Sequence, residues 1–199
     1  MRMRSLVRYT GLAVVVAATA SCGDVVTSSR GPVLLVVNSV GSSAGASGTL
    51  SSDVLTMRTS PSPCTTTAPC PTVVNDAGLA VLSVVMKDFS VSPTTNNDVT
   101  ITGYHVAYRR ADGRNTPGVD VPYPFDGVVT GAIPAGGTGS VGFELVRHDA
   151  KLESPLRQLV ENLEVINVIA DVTFYGHDRV GNELSASGNI FIAFANHGG

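Results

Sequence analysis

Short apolar runs separated by turn-forming residues make up most of the chain after residue 31. Residues 32–40 (PVLLVVNSV) and 79–91 (LAVLSVVMKDFSV) are rich in β-branched side chains, which favour strands. The second run is apolar on both alternating faces as far as Met86, a pattern typical of a central strand covered on both sides. A buried helix is the alternative for this run, but the polar segment 75–78 predicts a turn before it and favours the strand.

The clearest strand pattern lies at residues 99–108 (VTITGYHVAY). Val99 and Ile101 share one face, and after Gly103 the apolar positions move by one residue to Tyr104 and every second residue beyond it. A change of phase at a glycine predicts a β-bulge.

Weaker alternation predicts the remaining strands at residues 49–57, 128–133, 141–146, 165–175 and 184–194. The last two strands flank the polar segment 176–182, so we expect them to form a closing hairpin.

One helix is predicted at residues 155–163. Four leucines in this region form a single apolar stripe, at Leu152, Leu156, Leu159 and Leu163. Proline inside a helix removes a hydrogen bond, so Ser154 and Pro155 fit best as the N-cap and the first helical residue. We expect the stripe to cover the core, with a partner-binding face as the alternative.

Short strands, turns and one minor helix together predict a single all-β domain at residues 32–199, an antiparallel sandwich with the helix in a strand connection. Residues 101–110 (ITGYHVAYRR) resemble the third strand of a fibronectin type III domain. Residues 172–182 (VTFYGHDRVGN) resemble the last hairpin of bacterial immunoglobulin-like domains, which Asp-x-x-Gly-Asn closes. The resemblance implies an immunoglobulin-like sandwich, and the whole chain resembles uncharacterised envelope lipoproteins of environmental bacteria.

Residues 1–21 have the layout of an export signal. Three arginines precede an apolar run at residues 11–18, which is shorter than the ~20 residues needed to span a bilayer. Residues 19–22 (TASC) resemble a bacterial lipobox, which implies that Cys22 carries a lipid and begins the mature chain. A plain secretion signal is the alternative. Residues 22–31 then form a tether, and the expected location is the bacterial outer membrane or cell surface.

The net charge of the mature chain limits the kinds of partner that it is expected to bind. The leader holds three arginines and no acidic residue, so removing it leaves 10 basic and 16 acidic residues, a net charge of −6. An acidic chain without a basic patch is not expected to bind nucleic acid. The expected partners are the membrane, through the lipid, and another envelope protein or a second copy of the chain.

The three cysteines are consistent with export. If Cys22 carries lipid, Cys64 and Cys70 remain to pair across a short loop that contains proline, and oxidising compartments favour disulfides. A redox pair would favour Cys-x-x-Cys, and a metal site would need more ligands than two cysteines. We therefore predict a structural disulfide.

The sequence contains no serine-nucleophile elbow, phosphate loop or His-Glu-x-x-His motif. His148 and Asp149 are adjacent and suit proton transfer, although the better interpretation is that they are polar residues on the surface. Two loops carry oxygen-bearing side chains that suit calcium or simple turn formation, of which we favour the second: Asp112, Asn115 and Asp120, and Asp178, Asn182 and Glu183. We expect no catalytic activity, no cofactor and no bound metal.

The candidate interaction element is the long loop at residues 109–126. It concentrates residue types that are common in interfaces, and its candidates are Arg109, Arg110, Arg114, Tyr123 and Phe125. The interpretation that we favour over a recognition role is a loop folded over the sandwich, with both aromatic rings buried and Arg109 or Arg114 paired with Asp120 or Asp126.

Three hypotheses for function remain. The first is a non-catalytic, lipid-anchored envelope protein with a structural or interaction role. The second is a subunit of an extracellular filament that donates residues 32–40 to a neighbouring subunit. The third is an enzyme or a module that binds a small ligand or carbohydrate, which requires a pocket with converging polar side chains.

Overall fold

The computed structural model describes residues 31–43, 47–162 and 164–197. The predicted leader, Cys22 and the tether as far as residue 30 lie outside the described residues, as does Leu163 of the leucine stripe. The described chain forms two facing β-sheets, which confirms the predicted all-β sandwich.

Ten strands follow one another along the chain: β1 (Val33–Ser42), β2 (Thr49–Asp53), β3 (Thr56–Arg58), β4 (Cys70–Thr72), β5 (Asp76–Met86), β6 (Val99–Arg109), β7 (Phe125–Ile133), β8 (Thr138–Val146), β9 (Ile166–Asp178) and β10 (Glu183–Ala195). One sheet has the order β1-β5-β8, the second has the order β2-β10-β9-β6-β7, and β3 and β4 form a small ribbon. Within the described residues, helical structure comprises the short helix α1 (His148–Leu152) and two 3-10 turns, Thr95–Asn97 and Leu156–Val160.

The N-terminal part of the domain contributes to both sheets. β1 pairs with β5 in the three-stranded sheet, and the chain then crosses to the other sheet, where β2 runs parallel to β10. The expectation of a purely antiparallel sandwich is therefore wrong for this one pairing, whereas the other ladders of the two sheets are antiparallel.

Inward-facing side chains of every second residue form one core between the sheets. β9 contributes Val168, Ala170, Val172 and Phe174, all buried. Phe143 packs edge to face against Phe174 and Tyr104, with 5.3 Å between ring centres in each pair. These rings occupy the middle of a core that contains no tryptophan, the residue that immunoglobulin domains usually place there.

Tyr108 joins the two sheets through a buried hydrogen bond. Its hydroxyl donates to the carbonyl oxygen of Leu145 on β8 at 2.7 Å. Burial raises the pKa of Tyr108 far above its ordinary value, because the phenolate would lose its hydration. The hydroxyl therefore stays protonated and remains a donor.

The β-bulge predicted at Gly103 is present. The register of β6 shifts between Ile101 and Gly103 against both neighbours. Against β9, Thr102 is the extra residue, whereas against β7 the extra residue lies on β7, between Val128 and Gly131. The shift lets both Ile101 and Tyr104 point into the core.

Several predicted bounds differ from the observed ones. The expected strand at residues 49–57 divides into β2 and β3, and residues 76–78 belong to β5 rather than to a turn. β5 is the central strand of its sheet, but only one of its faces is covered, since Leu79 on the other face is exposed.

The closing hairpin has a shorter turn than predicted, because β9 continues to Asp178. The Asp178 carboxylate accepts hydrogen bonds from the backbone amides of Val180 (3.0 Å) and Asn182 (2.8 Å) and from the side-chain amide of Asn182 (2.7 Å). Burial raises the pKa of Asp178, but these hydrogen bonds outweigh burial, so that the pKa lies below its ordinary value. This carboxylate organises the turn, as the turn-forming interpretation predicted.

The leucine-striped segment does not form the predicted helix at residues 155–163. α1 ends at Leu152, and a separate 3-10 turn covers Leu156–Val160. Pro155 has no amide hydrogen, and its ring restricts the residue before it, so a continuous helix is interrupted here. Leu156 and Leu159 cover the core as expected, whereas Leu152 is exposed.

The predicted disulfide joins Cys64 and Cys70, whose Cα atoms are 5.3 Å apart. The bond closes the loop between β3 and β4, and Cys70 pairs with Arg58 in that ribbon. It therefore acts as a local staple outside the two main sheets.

We predict that Gly176 is required for the close approach of β9 to β6. A Cβ atom at this position would meet the carbonyl oxygen of Thr100 and lie 3.1 Å from the Cα of Ile101. Gly176→Ala should lower the free energy of unfolding by about 2–3 kcal/mol, because backbone atoms must move.

A matched control is Gly142→Ala on β8, where no atom lies within 4 Å of the added methyl group. This control should be neutral or stabilising by up to about 1 kcal/mol. Urea denaturation followed by circular dichroism measures both, and equal losses would contradict the prediction.

Candidate functional site

The two ends of the sandwich differ in what they carry. At the first, which we name the entry end, Gly31 lies against Asn182 of the β9–β10 turn, and the Lys87 amide donates to the Pro32 carbonyl at 2.9 Å. β6 begins beside Asp178 at this end and runs for 11 residues, a length of about 36 Å. The loop at residues 110–124 therefore lies at the opposite end, which we name the distal end.

A cleft of about 520 Å³ opens at the distal end between this loop and the connection from β8 to β9. Its lining comes from both segments: Gly118, Tyr123, Leu152, Glu153, Ser154, Arg157 and Gln158. The predicted interaction loop thus forms one wall of a concave site, and the second wall comes from the segment that follows α1.

Charge pairs fold the first half of the loop. The Asp112 carboxylate accepts hydrogen bonds from the guanidinium groups of Arg110 (2.7 Å) and Arg114 (3.0 Å) and from the Arg114 amide (3.2 Å). The Arg110 side chain, with smaller contributions from Arg114, lowers the pKa of Asp112 to about 2. The Asn115 side chain accepts from the Arg110 amide at 2.6 Å. These oxygens bind donors of the loop itself, which agrees with turn formation.

Backbone geometry fixes the conformation of the second half of the loop. Gly118 has a φ of 76°, a conformation that favours glycine, and its amide donates to the Val121 carbonyl at 2.8 Å. Val121 is buried and holds the loop to the sandwich. The Tyr123 ring packs so close to Gly118 that a Cβ atom there would overlap it. The ring is therefore held in place, although 57% of Tyr123 is exposed.

The structure separates the five candidates of the loop. Arg110, Arg114 and Tyr123 lie in the loop, but the two arginines pair with Asp112 rather than with Asp120 or Asp126. Arg109 is the last residue of β6 and pairs with Asp171 of β9 at 2.6 Å, on the surface of the sheet.

Phe125 belongs to a strand rather than to the loop, because it begins β7, and it is only 7% exposed. The Arg147 guanidinium covers its ring at 3.9 Å from the ring centre. Phe125 is thus buried, as the folded-over interpretation predicted, whereas Tyr123 is not.

Sequence reasoning missed Arg157. The segment was read as a leucine-striped helix, and no local pattern places residue 157 opposite residue 123. No carboxylate of the described residues pairs with the Arg157 guanidinium, and no described group bonds the Tyr123 hydroxyl. The cleft therefore presents a cation and a phenol that are both free to bind a partner.

A buried cation lies directly beneath this wall. The Lys151 ammonium of α1 contacts the Asp76 carboxylate at 2.9 Å and donates to the Asp53 carbonyl at 2.8 Å. The Ser52 hydroxyl donates to the same carboxylate at 2.6 Å. The Lys151 side chain is 1% exposed, so these contacts replace its hydration and fix α1 to β2 and β5.

Neither of two histidine–aspartate pairs lines the distal cleft. His105 contacts Asp126 at 2.8 Å across β6 and β7, and His148 contacts Asp149 at 3.1 Å on the surface. A second cleft, of about 480 Å³, includes His177 and Glu183 and lies near the closing hairpin. Across residues 31–43, 47–162 and 164–197, no three His, Cys, Asp or Glu side chains are grouped to hold a metal ion.

Comparison of the chain with protein-family models, with curated proteins and with solved structures finds no match. In the part of the chain that the structure describes, no helix has the length and apolarity needed to cross a membrane.

We predict that Lys151 is essential for the stability of the distal end. Lys151→Met leaves the Asp76 carboxylate without its cation and should lower the free energy of unfolding by about 3 kcal/mol. The double variant Lys151→Met/Asp76→Leu should lose less, because it leaves no buried charge unpaired. Arg157→Met is the control, since a change at an exposed position should stay within about 0.5 kcal/mol. Urea denaturation gives all three values, and equal losses in Lys151→Met and Arg157→Met would contradict the role of the buried pair.

Proposed function

We propose that the protein is a non-catalytic, lipid-anchored protein of the bacterial envelope whose sandwich presents a recognition site away from the membrane. The observation that carries this proposal is the position of the two ends. The chain enters the domain at Gly31, only nine residues after Cys22, and the loop at residues 110–124 lies at the far end of β6. A lipid at Cys22 would hold the entry end near the bilayer and leave the distal cleft accessible.

The properties of the distal end support recognition rather than catalysis. A fixed aromatic ring and an unpaired guanidinium are typical anchors in protein interfaces. Of the histidines and carboxylates among the described residues, Glu153 alone lines this cleft, so no acid–base pair converges there. This arrangement favours a binding role over the enzyme hypothesis.

The position of β1 bears on the filament hypothesis. Residues 32–40 pair with β5 of the same chain, and Val33, Leu35 and Val40 are buried against the facing sheet. Donating this segment to a neighbour would open the domain's own core. The contacts therefore favour a self-contained domain with another means of interaction.

The anchor has a direct test. The protein recovered from membranes of a bacterial host should begin at Cys22 and carry acyl mass, whereas Cys22→Ser should lose both the acyl mass and the membrane fraction. The double variant Cys64→Ser/Cys70→Ser is the control, since it removes the disulfide and should keep the anchor. Intact mass spectrometry after fractionation decides the question, and a mature form that starts at another residue would contradict the proposal.

The recognition site has its own test. Tyr123→Ala and Arg157→Ala should each reduce the co-purification of a chemically cross-linked envelope partner at least about tenfold, because each variant removes an anchor of the cleft. Phe89→Ala is the matched control, since Phe89 is 92% exposed and lies in the β5–β6 connection at the entry end. Quantitative mass spectrometry of the cross-linked material measures the change. An equal recovery from all three variants would show that the distal cleft is not the binding site.

A further inference from the structure

The outward side chains of β1, β5 and β8 form an apolar surface, which we name the outer face. Leu34 is 47% exposed and Leu79 is 39% exposed, and Val36 is exposed beside them. Val81 and Val85 are partly exposed on the same face. No described residue packs over this face, although the pattern of β5 is typical of a strand covered on both sides.

The centre of the outer face is uncharged and nearly flat. The outward residues of neighbouring strands pair in rows: Leu34 with Val85, Val36 with Ser83 and Thr138, Val81 with Ser140, and Leu79 with Gly142. Small residues alternate with the apolar ones, so another sheet can approach to the usual distance of about 10 Å. Glu144, at the distal end of β8, is the single ionisable outward residue on these three strands.

We propose that the outer face binds the outer face of a second copy of this chain, about a two-fold axis that runs along β5. In such an interface a side chain close to the axis lies near its own counterpart, whereas β1 of one copy faces β8 of the other, so a charge close to the axis would face a like charge. A face whose central rows are uncharged meets this requirement. An axis parallel to the strands also keeps the two entry ends on the same side.

A lipid surface fits the outer face less well. Anionic headgroups attract clustered Lys and Arg, and the outward positions of the three strands hold neither. The mature chain carries a net charge of −6, and Glu144 lies at the rim of the face. The net charge opposes an anionic bilayer, whereas Glu144, 4.0 Å from the Arg147 guanidinium, is tolerated at the edge of a protein contact.

The size of the face predicts a weak dimer. Three strands of about nine residues cover roughly 400 Å² per copy, which is half of the about 800 Å² that each partner buries in a standard interface. Such a weak contact forms a larger fraction of dimer when both copies are confined to one membrane, because confinement raises their effective concentration. The higher effective concentration, and the need for both entry ends to lie on the same side, rest on the proposed lipid anchor. The contact between the two outer faces does not.

Cysteine cross-linking of the full chain in bacterial membranes tests the proposal. Val81→Cys lies next to the expected axis and should give a covalent dimer with a short bifunctional thiol reagent. Val128→Cys is the matched control, because Val128 is 90% exposed but lies on β7 of the other sheet. We expect at least tenfold more dimer from Val81→Cys. Adding Leu79→Asp to this variant should reduce the dimer by a similar factor, since it places two carboxylates across the axis.

Each result is decisive. A thiol at position 81 that reacts with a monofunctional reagent but gives no dimer overturns the proposal, as does cross-linking to a different protein. Protection of the thiol without a dimer would indicate a lipid surface instead. If fractionation shows that the protein is not anchored, sedimentation of the purified full chain at high concentration replaces the membrane assay. A purely monomeric chain whose sedimentation is unchanged by Leu79→Asp would then overturn the dimer, independently of the anchor.

Discussion

The distal end depends on one buried cation. Lys151 connects a short helix to β2 and β5, which belong to different sheets, through the Asp53 carbonyl and the Asp76 carboxylate. α1 has only five residues and cannot be stable on its own, so this contact fixes its position. Leu152 and Glu153 follow at once and line the cleft. Because the loss of either partner would leave a buried charge unpaired, this contact holds α1 in one position against the two strands.

The same end joins chain segments that are far apart in sequence. Lys151 reaches Asp53 across 98 residues, and Tyr123 and Arg157 line the same cleft. The sheets make these contacts possible, because β6 and β8 both run toward the distal end and deliver their following connections side by side. Any recognition there requires the whole sandwich, since neither wall of the cleft folds alone.

Local patterns predicted the strands and the bulge because alternation and glycine placement act within a few residues. The same reasoning could not separate Tyr123 from Phe125, since the burial of Phe125 depends on Arg147 and the facing sheet. Arg157 and Lys151 carried no local signal at all. The parallel pairing of β2 with β10 was missed for the same reason, because a crossing between sheets leaves no period in the sequence.

Ionisation of Tyr108 limits the stability of the fold at alkaline pH. Its phenol is neutral in the folded protein because burial raises its pKa, whereas in the unfolded chain it ionises near pH 10. The unfolded state then binds fewer protons, so stability is full below about pH 10 and falls as the pH rises further. The hydroxyl that joins the two sheets is thus also a group whose ionisation in the unfolded chain opposes folding at alkaline pH.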